Sequence, residues 1–304
     1  MPREEFGKGY DFLPKTEILT YEEIHNFVKA CKPLGLRKVR ITGGEPLLRQ
    51  DIHHLVRQLS SMEMEVAITT NGSLLEKNAR NLAESGLSRV TISLDAIDQE
   101  VHSKITDSKV PVTDILAGIS AAIRYELGPV KVNCVVQRGV NEHQIPKLVR
   151  KFRGSGVIVR FIEFMDVGST NGWTEGQVVP TSEIIDFLSS EFDLTPLARK
   201  SASDVASRWA HSDGSGEIGF ISSVSQPFCG DCVRARLSSN GKFFTCLFTT
   251  MGHDMSTLIK SGGETEQLTQ SIEEVWSARK DRYSEERSSG AISLPRVEMS
   301  YIGG

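Results

Sequence analysis

The stretch KVRITGGEP, Lys38–Pro46, decides the fold. A short basic and β-branched run passes directly into Gly43-Gly44, and Asp51 then opens a segment with Ile52, Leu55, Val56 and Leu59 on one helical face. Strand, turn and helix in that order make a βα unit. The pattern extends both ways. Upstream, the capping box Thr20-Tyr21-Glu22-Glu23 predicts a helix carrying Ile24, Phe27 and Val28. Downstream, strands are predicted at 65–70, 89–94, 130–136 and 157–163, with helices around 75–86, 112–125 and 144–153 between them. Five strands alternating with helices predict an α/β fold on a parallel sheet, each strand buried on both faces.

The rhythm stops after Phe164–Gly168, where Gly, Ser, Thr and Asn accumulate, so residues 1–168 and 169–304 read as two regions. In the second, 181–192 is predicted helical with Thr181 or Ser182 as its cap, and 199–216 reads as a loop or irregular hairpin. Three cysteines, a helical stretch near 264–276 and a polar tail ending in Gly303-Gly304 follow.

Composition removes several classes of function. A net charge of −4 argues against broad adhesion to nucleic acid, so an anionic ligand must be held locally. No run of eighteen apolar residues occurs, and the opening MPREEFGKGYDF has acidic and aromatic residues where a signal peptide has its apolar stretch; a soluble protein without a membrane segment is expected. Of five cysteines, three crowd into the segment from Cys229 to Cys246, which favours metal ligation in a reducing compartment over disulfides.

Polar residues fall repeatedly at the carboxyl ends of predicted strands, where parallel α/β folds place ligand sites: Gly43-Gly44-Glu45, Thr69-Thr70-Asn71, Ser93-Leu94-Asp95 and Met165. Two glycines let backbone approach a ligand, and Glu45 is suited to accept from an amino group. Singly, each such residue reads equally well as turn or cap chemistry. Cys229-x2-Cys232-x13-Cys246 supplies three soft thiolates. With His253 they would make a structural zinc site; with an iron–sulfur cluster they would leave one iron free of protein ligand. Arg234-Ala235-Arg236 lies between the thiols, and two guanidiniums on one side of an extended segment match phosphate oxygens. Lys131 and Arg40, on predicted strands, add charge from the barrel side; Arg40 and Arg160 suggest a lined cavity, since a buried arginine is costly without a partner, and each singly reads equally well as a structural salt bridge. Cys31 and Cys134 read as packing residues, and His53-His54 as a solvated helix face.

Taken together, RITGGEP, TTNG, SLDA, KVN, RFIEFMDVG, SVSQPFCGDCVRARLSSNGKFFTCLF, DRYSEER and the terminal Gly-Gly resemble the MoaA-type GTP 3′,8-cyclases of the radical S-adenosylmethionine superfamily, in order along nearly the whole chain. The resemblance implies a partial (β/α)6 TIM-like barrel with a C-terminal cluster-binding region closing its mouth. It implies two 4Fe–4S clusters, the first cleaving S-adenosylmethionine to a 5′-deoxyadenosyl radical that removes hydrogen from C3′ of GTP, after which the carbon radical attacks C8. Gly44, Ser93 and Met165 would then contact S-adenosylmethionine. Arg40, Thr69, Lys131, Arg234, Ala235 and Arg236 would contact GTP, and Cys229, Cys232 and Cys246 would hold the second cluster. The Gly-Gly tail would reach back toward the site. The next enzyme of the molybdopterin pathway would take the product, with homodimerisation left open, in the cytoplasm of a bacterium or the mitochondrion of a eukaryote.

One part of the pattern departs. In the family a C-x3-C-x2-C motif for the first cluster runs into Met-Pro, and this chain begins Met1-Pro2. The first strand, that motif and an upstream GTP-contacting arginine are therefore expected to be missing, leaving the chain without a source of the radical. The alternative is an inactive remnant that binds GTP or a partner.

Overall fold

The computed structural model describes residues 13–168, 171–201, 203–262, 265–287 and 297–302. Helix α1 (Tyr21–Cys31) starts at the expected capping box. The Thr20 hydroxyl accepts from the Glu23 N–H at 3.1 Å, and the Thr20 N–H donates back to the Glu23 carboxylate at 2.7 Å. Both donors are ones the first helical turn would otherwise leave orphaned.

Strands β1 (Lys38–Ile41), β2 (Glu65–Thr70), β3 (Arg89–Ser93), β4 (Lys131–Val136) and β5 (Ile158–Glu163) pair in parallel in chain order. Helices α2 (Ile52–Ser60), α3 (Leu75–Glu84), α4 (Gln99–Thr106), α5 (Val112–Arg124) and α6 (Ile145–Phe152) form the crossovers. After α7 (Thr181–Ser189), the strands β6 (Leu194–Leu197), β7 (Ser207–His211) and β8 (Glu217–Ile221) join the same sheet. Its order is β1-β2-β3-β4-β5-β8-β7-β6, with β8 parallel to β5 and the last two pairings antiparallel. This is the mixed α/β parallel sheet of a TIM-like barrel.

The register sets up the inner face. Thr91 stands opposite both Thr69 and Lys131, and Arg160 opposite both Asn133 and Gly219. Only the helix-facing side carries a closed apolar core, in which Ile68, Ile92, Val132 and Phe161 pack against Leu55, Leu75, Ile115 and Leu148. The expected burial on both faces holds in the middle of β2, at Val66, Ala67 and Ile68, and of β3, at Val90, Thr91 and Ile92, and fails in β1 and β4. In β4, Lys131, Asn133 and Val135 stay half-exposed while Val132, Cys134 and Val136 are buried. Helices cover one side and polar side chains line the other, so β1 and β4 alternate although their pairing is parallel.

Other expectations need correcting. Asp51 precedes α2 in the left-handed region, φ 54°, without capping through its side chain. Neither Thr181 nor Ser182 caps α7; Pro180 precedes it, and the Thr181 N–H donates to Glu163 at 2.8 Å. The polar stretch 199–216 is a hairpin, as one of the two expectations for it had it: β7 turns at 212–216 into the antiparallel β8.

A second layer lies beyond. Strands β9 (Arg236–Leu237), β10 (Lys242–Phe244) and β11 (His253–Asp254) form a small antiparallel sheet in the order β11-β10-β9. Together with α8 (Ser256–Lys260) and α9 (Thr265–Ser277) it packs on α1, where Phe27, Ala30, Phe243, Ile259, Leu268 and Ile272 share a separate core. Short helices α10 (Tyr283–Glu286) and α11 (Met299–Ile302) complete the described chain.

Candidate active site

The inner face of the sheet is a basic floor. Arg40, on β1, donates through Nη1 to the Thr69 hydroxyl at 2.8 Å and to the Thr91 hydroxyl at 3.2 Å, spanning three strands. Arg160, on β5, donates through Nε to Asn133 Oδ1 at 2.9 Å. A Cβ at Gly219 would lie 2.9 Å from Arg160 Cγ, so the glycine on β8 makes room for this side chain. Lys131 sits among these groups. Burial pushes its ammonium down to about 8, with Arg160, Arg89 and Arg40 adding to the shift and Glu217 opposing it. Burial, then Arg40 and Arg89, lower Arg160 to about 10. Cations held together at such a cost to one another are the electrostatic counterpart of a polyanion.

Above the floor, at the carboxyl ends of the strands, Gly43 takes φ +137°, and added Cβ atoms at Gly43 or Gly44 would meet nothing within 4 Å. That backbone is open to a ligand. Glu45, by contrast, is engaged by protein donors: Leu47 N–H at 3.0 Å, the Thr70 hydroxyl at 2.7 Å and Asn71 N–H at 2.7 Å. It ties the end of β1 to the end of β2, with a single protein donor on Oε2. Ser93 ends β3 half-buried. Beside it Asp95 is pushed up to about 6 by burial, against the Val135 N–H, which donates to it at 2.8 Å. Met165 lies two residues past β5, its carbonyl accepting from Asn171 Nδ2 at 2.8 Å.

The third group is the thiols. Cys229, Cys232 and Cys246 are free and half-buried. Cys229 and Cys232 border a cavity of about 440 Å³ with Trp276, Arg279, Lys280 and Asp281. Burial would raise the Cys232 thiol, but Arg234 and Arg279 outweigh it and pull it down. Cys246 is raised, by burial first and then by Asp281 and Cys229. Arg234 and Arg236 sit near enough to one another that, with burial leading, Arg236 falls to about 10, while the Cys246 and Cys232 sulfurs oppose the fall. Arg234 and Ala235 are exposed and Arg236 is half-buried, with the Arg234 guanidinium 5.2 Å from the Phe228 ring centre.

The sequence matches a family model for the radical SAM superfamily over residues 6–152 and one for Molybdenum Cofactor Synthesis C over residues 157–285. A GTP 3′,8-cyclase of Acidothermus cellulolyticus is 44% identical, the match covering 100% of this chain and 91% of that protein. One from Staphylococcus haemolyticus is 43% identical with the same coverage. The chain belongs to the GTP 3′,8-cyclase family. Among solved structures, Streptococcus suis SuiB has the same fold at 14% identity and a TM-score of 0.58, the match covering 92% of this chain and 70% of that one.

Against the groups the family implies, the residues fit unevenly. Two thiols lining a cavity of about 440 Å³, with Cys246 close enough to Cys229 to feel its charge, suit a group larger than one ion. Among the described residues no three His, Cys, Asp or Glu side chains converge on a single metal ion, and His253 stands exposed on β11. The open Gly43-Gly44 turn suits S-adenosylmethionine. The first cluster does not fit: no C-x3-C-x2-C occurs among the 304 residues, Cys31 is buried on α1 and Cys134 on β4, and burial raises both thiols. Met1-Pro2 and Gly303-Gly304 lie outside the described residues. Arg89 and Thr91 on the floor went unremarked in the sequence, and Asn133 was given no role beyond its place in the KVN motif. Their signal was parity, since Arg89, Thr91 and Ser93 alternate, as do Lys131 and Asn133.

Proposed function

We propose that this chain is a GTP 3′,8-cyclase, the enzyme converting GTP and S-adenosylmethionine to (8S)-3′,8-cyclo-7,8-dihydroguanosine 5′-triphosphate. The observation that carries the reading is the basic floor of Arg40, Lys131 and Arg160, with the thiol-flanked Arg234 and Arg236 as a second cationic group. Arg40, Thr69, Lys131, Arg234, Ala235 and Arg236 bind GTP, the guanidinium forks taking phosphate oxygens. Residues 1–168 hold S-adenosylmethionine at Gly44, Ser93 and Met165. Cys229, Cys232 and Cys246, in residues 169–304, would hold the second 4Fe–4S cluster, which when bound would supply Lewis acidity toward the guanine. The protein side of the mechanism is orientation: arginines fix the triphosphate while open backbone at Gly44 admits the second substrate.

A second reading has its own support. Since the five cysteines supply no first cluster, the 304 residues alone are expected to bind GTP without forming 5′-deoxyadenosine. Equilibrium binding of GTP to the iron-reconstituted chain tests the main reading. Arg234→Ala and Arg236→Ala should each weaken GTP binding by roughly tenfold to a hundredfold, about 1.5–3 kcal/mol for a hydrogen bond to a charged group, with iron content unchanged. Unaltered affinity in both variants would remove the assignment. Deoxyadenosine formed by the 304 residues would remove the second reading.

A further inference from the structure

The two groups of site residues lie on different layers, and one side chain bridges the segments that carry them. Arg287, just after α10, donates through Nε to Asp166 Oδ1 at 3.0 Å, with Nη2 2.7 Å from the same oxygen. Its Nη1 donates to the Ser223 carbonyl, beyond the end of β8, at 3.2 Å. The Tyr283 hydroxyl donates to the other Asp166 oxygen at 2.6 Å. Around the guanidinium stand the rings of Phe248, Tyr283 and Trp173, at 5.4, 5.7 and 5.9 Å. Asp166 is 6% exposed, so the pair sits in low dielectric, where breaking it is costly.

The neighbours of these partners give the arrangement its meaning. Asp166 follows Met165 directly. Phe248 is two residues past Cys246, and its N–H points at the Cys246 sulfur at 3.4 Å. Trp173 donates through Nε1 to the Phe164 carbonyl at 2.9 Å, on the other flank of Met165. Phe248 and Tyr283 stack with centroids 4.8 Å apart. Phe248 and Arg287 thus form a continuous chain of contacts from the Cys246 loop to the segment bearing Met165.

We propose that Arg287 is a positioning residue that holds the Met165 segment and the Cys246 loop at a fixed separation. Resting on the functional reading above, this sets the distance between the S-adenosylmethionine side and the cluster side of one site. Arginine suits the task because its planar fork can pair with a carboxylate, reach a carbonyl and stack on rings at once; lysine does only the first well.

Amide hydrogen exchange on the iron-reconstituted chain tests it, with Asp166→Asn, Arg287→Met and Arg287→Lys beside the parent. The decisive variant is Asp166→Asn, nearly isosteric and remote in sequence from the thiols. Exchange in peptides covering 164–168 and 246–249 should rise together by at least tenfold, while peptides in β2 and β3 keep the parent rate. Arg287→Met should reproduce that pattern, and Arg287→Lys should recover 164–168 more than 246–249. The GTP-induced change in the electron paramagnetic resonance spectrum of the reduced cluster should shrink in Asp166→Asn at unchanged GTP affinity. An Asp166→Asn protein whose 246–249 peptide exchanges at the parent rate overturns the proposal, as does uniform acceleration across the chain. Failure of the parent to bind GTP would remove the functional reading and leave the exchange result standing.

Discussion

Lys131 sits where the fold disfavours its charge, because burial and three arginines oppose its proton. Its ammonium titrates near 8, and a bound triphosphate would favour the charged form. GTP affinity at constant ionic strength should therefore fall about tenfold from pH 7 to pH 9 as the proton is lost, and Lys131→Met should bind more weakly with that slope abolished. Equilibrium dialysis at several pH values checks this; a slope surviving in the variant would place the titration elsewhere. The stability effect has the opposite sense. With its folded value below the ordinary 10.5, the folded chain binds fewer protons than the unfolded one between about 8 and 10.5, and this residue's penalty eases as pH rises through that window. What the sequence made legible at this scale was residue type. Arg40, Lys131, Arg160 and the three thiols stood out because charge and sulfur are rare in an apolar context. Partners did not stand out, for they depend on register. Glu45 read as a ligand group and Glu163 went unread, yet Glu163 is fully buried and accepts from the N–H groups of Thr181, Val224 and Ser225, each at 2.8 Å, fastening β5 to two later segments.

Elements were legible where period and burial agree. The five strands and their main helices fall within two residues of expectation, because each helix presents one apolar stripe to the sheet. Helix α4 was missed: His102 is its one residue among those buried, so no stripe advertises it. Strand β8 was missed as a neighbour of β5 because a pairing across the intervening α7, β6 and β7 leaves no local trace. The packing of α3 against α5 is likewise invisible to periodicity. At Gly118 a Cβ would lie 2.6 Å from the Gly72 carbonyl and 3.0 Å from Leu75 Cβ, so the helices meet through a residue without a side chain. Gly118→Ala gains helix propensity worth about 1 kcal/mol, but overpacking costs about 1–3 kcal/mol. A net loss of stability is expected in urea unfolding. A stabilised variant would show that the two helices have slack.

At the scale of the molecule, two cores matter. The larger lies between sheet and helices, and the smaller joins α1 to β10, α8 and α9. Backbone and side-chain bonds reinforce the second: Leu19 N–H to the Ser239 carbonyl at 2.7 Å, and the Thr269 hydroxyl to the Ala30 carbonyl at 3.0 Å. Phe27 and Phe243 meet at its centre with ring centroids 5.8 Å apart. Phe243→Ala should cost about 3–5 kcal/mol and free the layer carrying the thiols before the sheet unfolds. Limited proteolysis is expected to cut within 237–277 while 65–163 stays protected; simultaneous loss of both would mean that the two cores melt as one.

That smaller core also dictates when the chain can finish folding. The Lys260 ammonium reaches the Glu17 carbonyl at 3.4 Å across 243 residues of sequence, and α1 has its apolar face against segments near that same separation. On a ribosome moving at about 5–20 residues per second, α1 waits roughly 12–50 s after emerging before its partners exist. Phe27 and Ala30 spend that interval in solvent or against a chaperone. The contact that seals the molecule is thus among the last made during synthesis, and nascent chains of this protein should depend on holdase capacity more than the mature protein's stability would suggest.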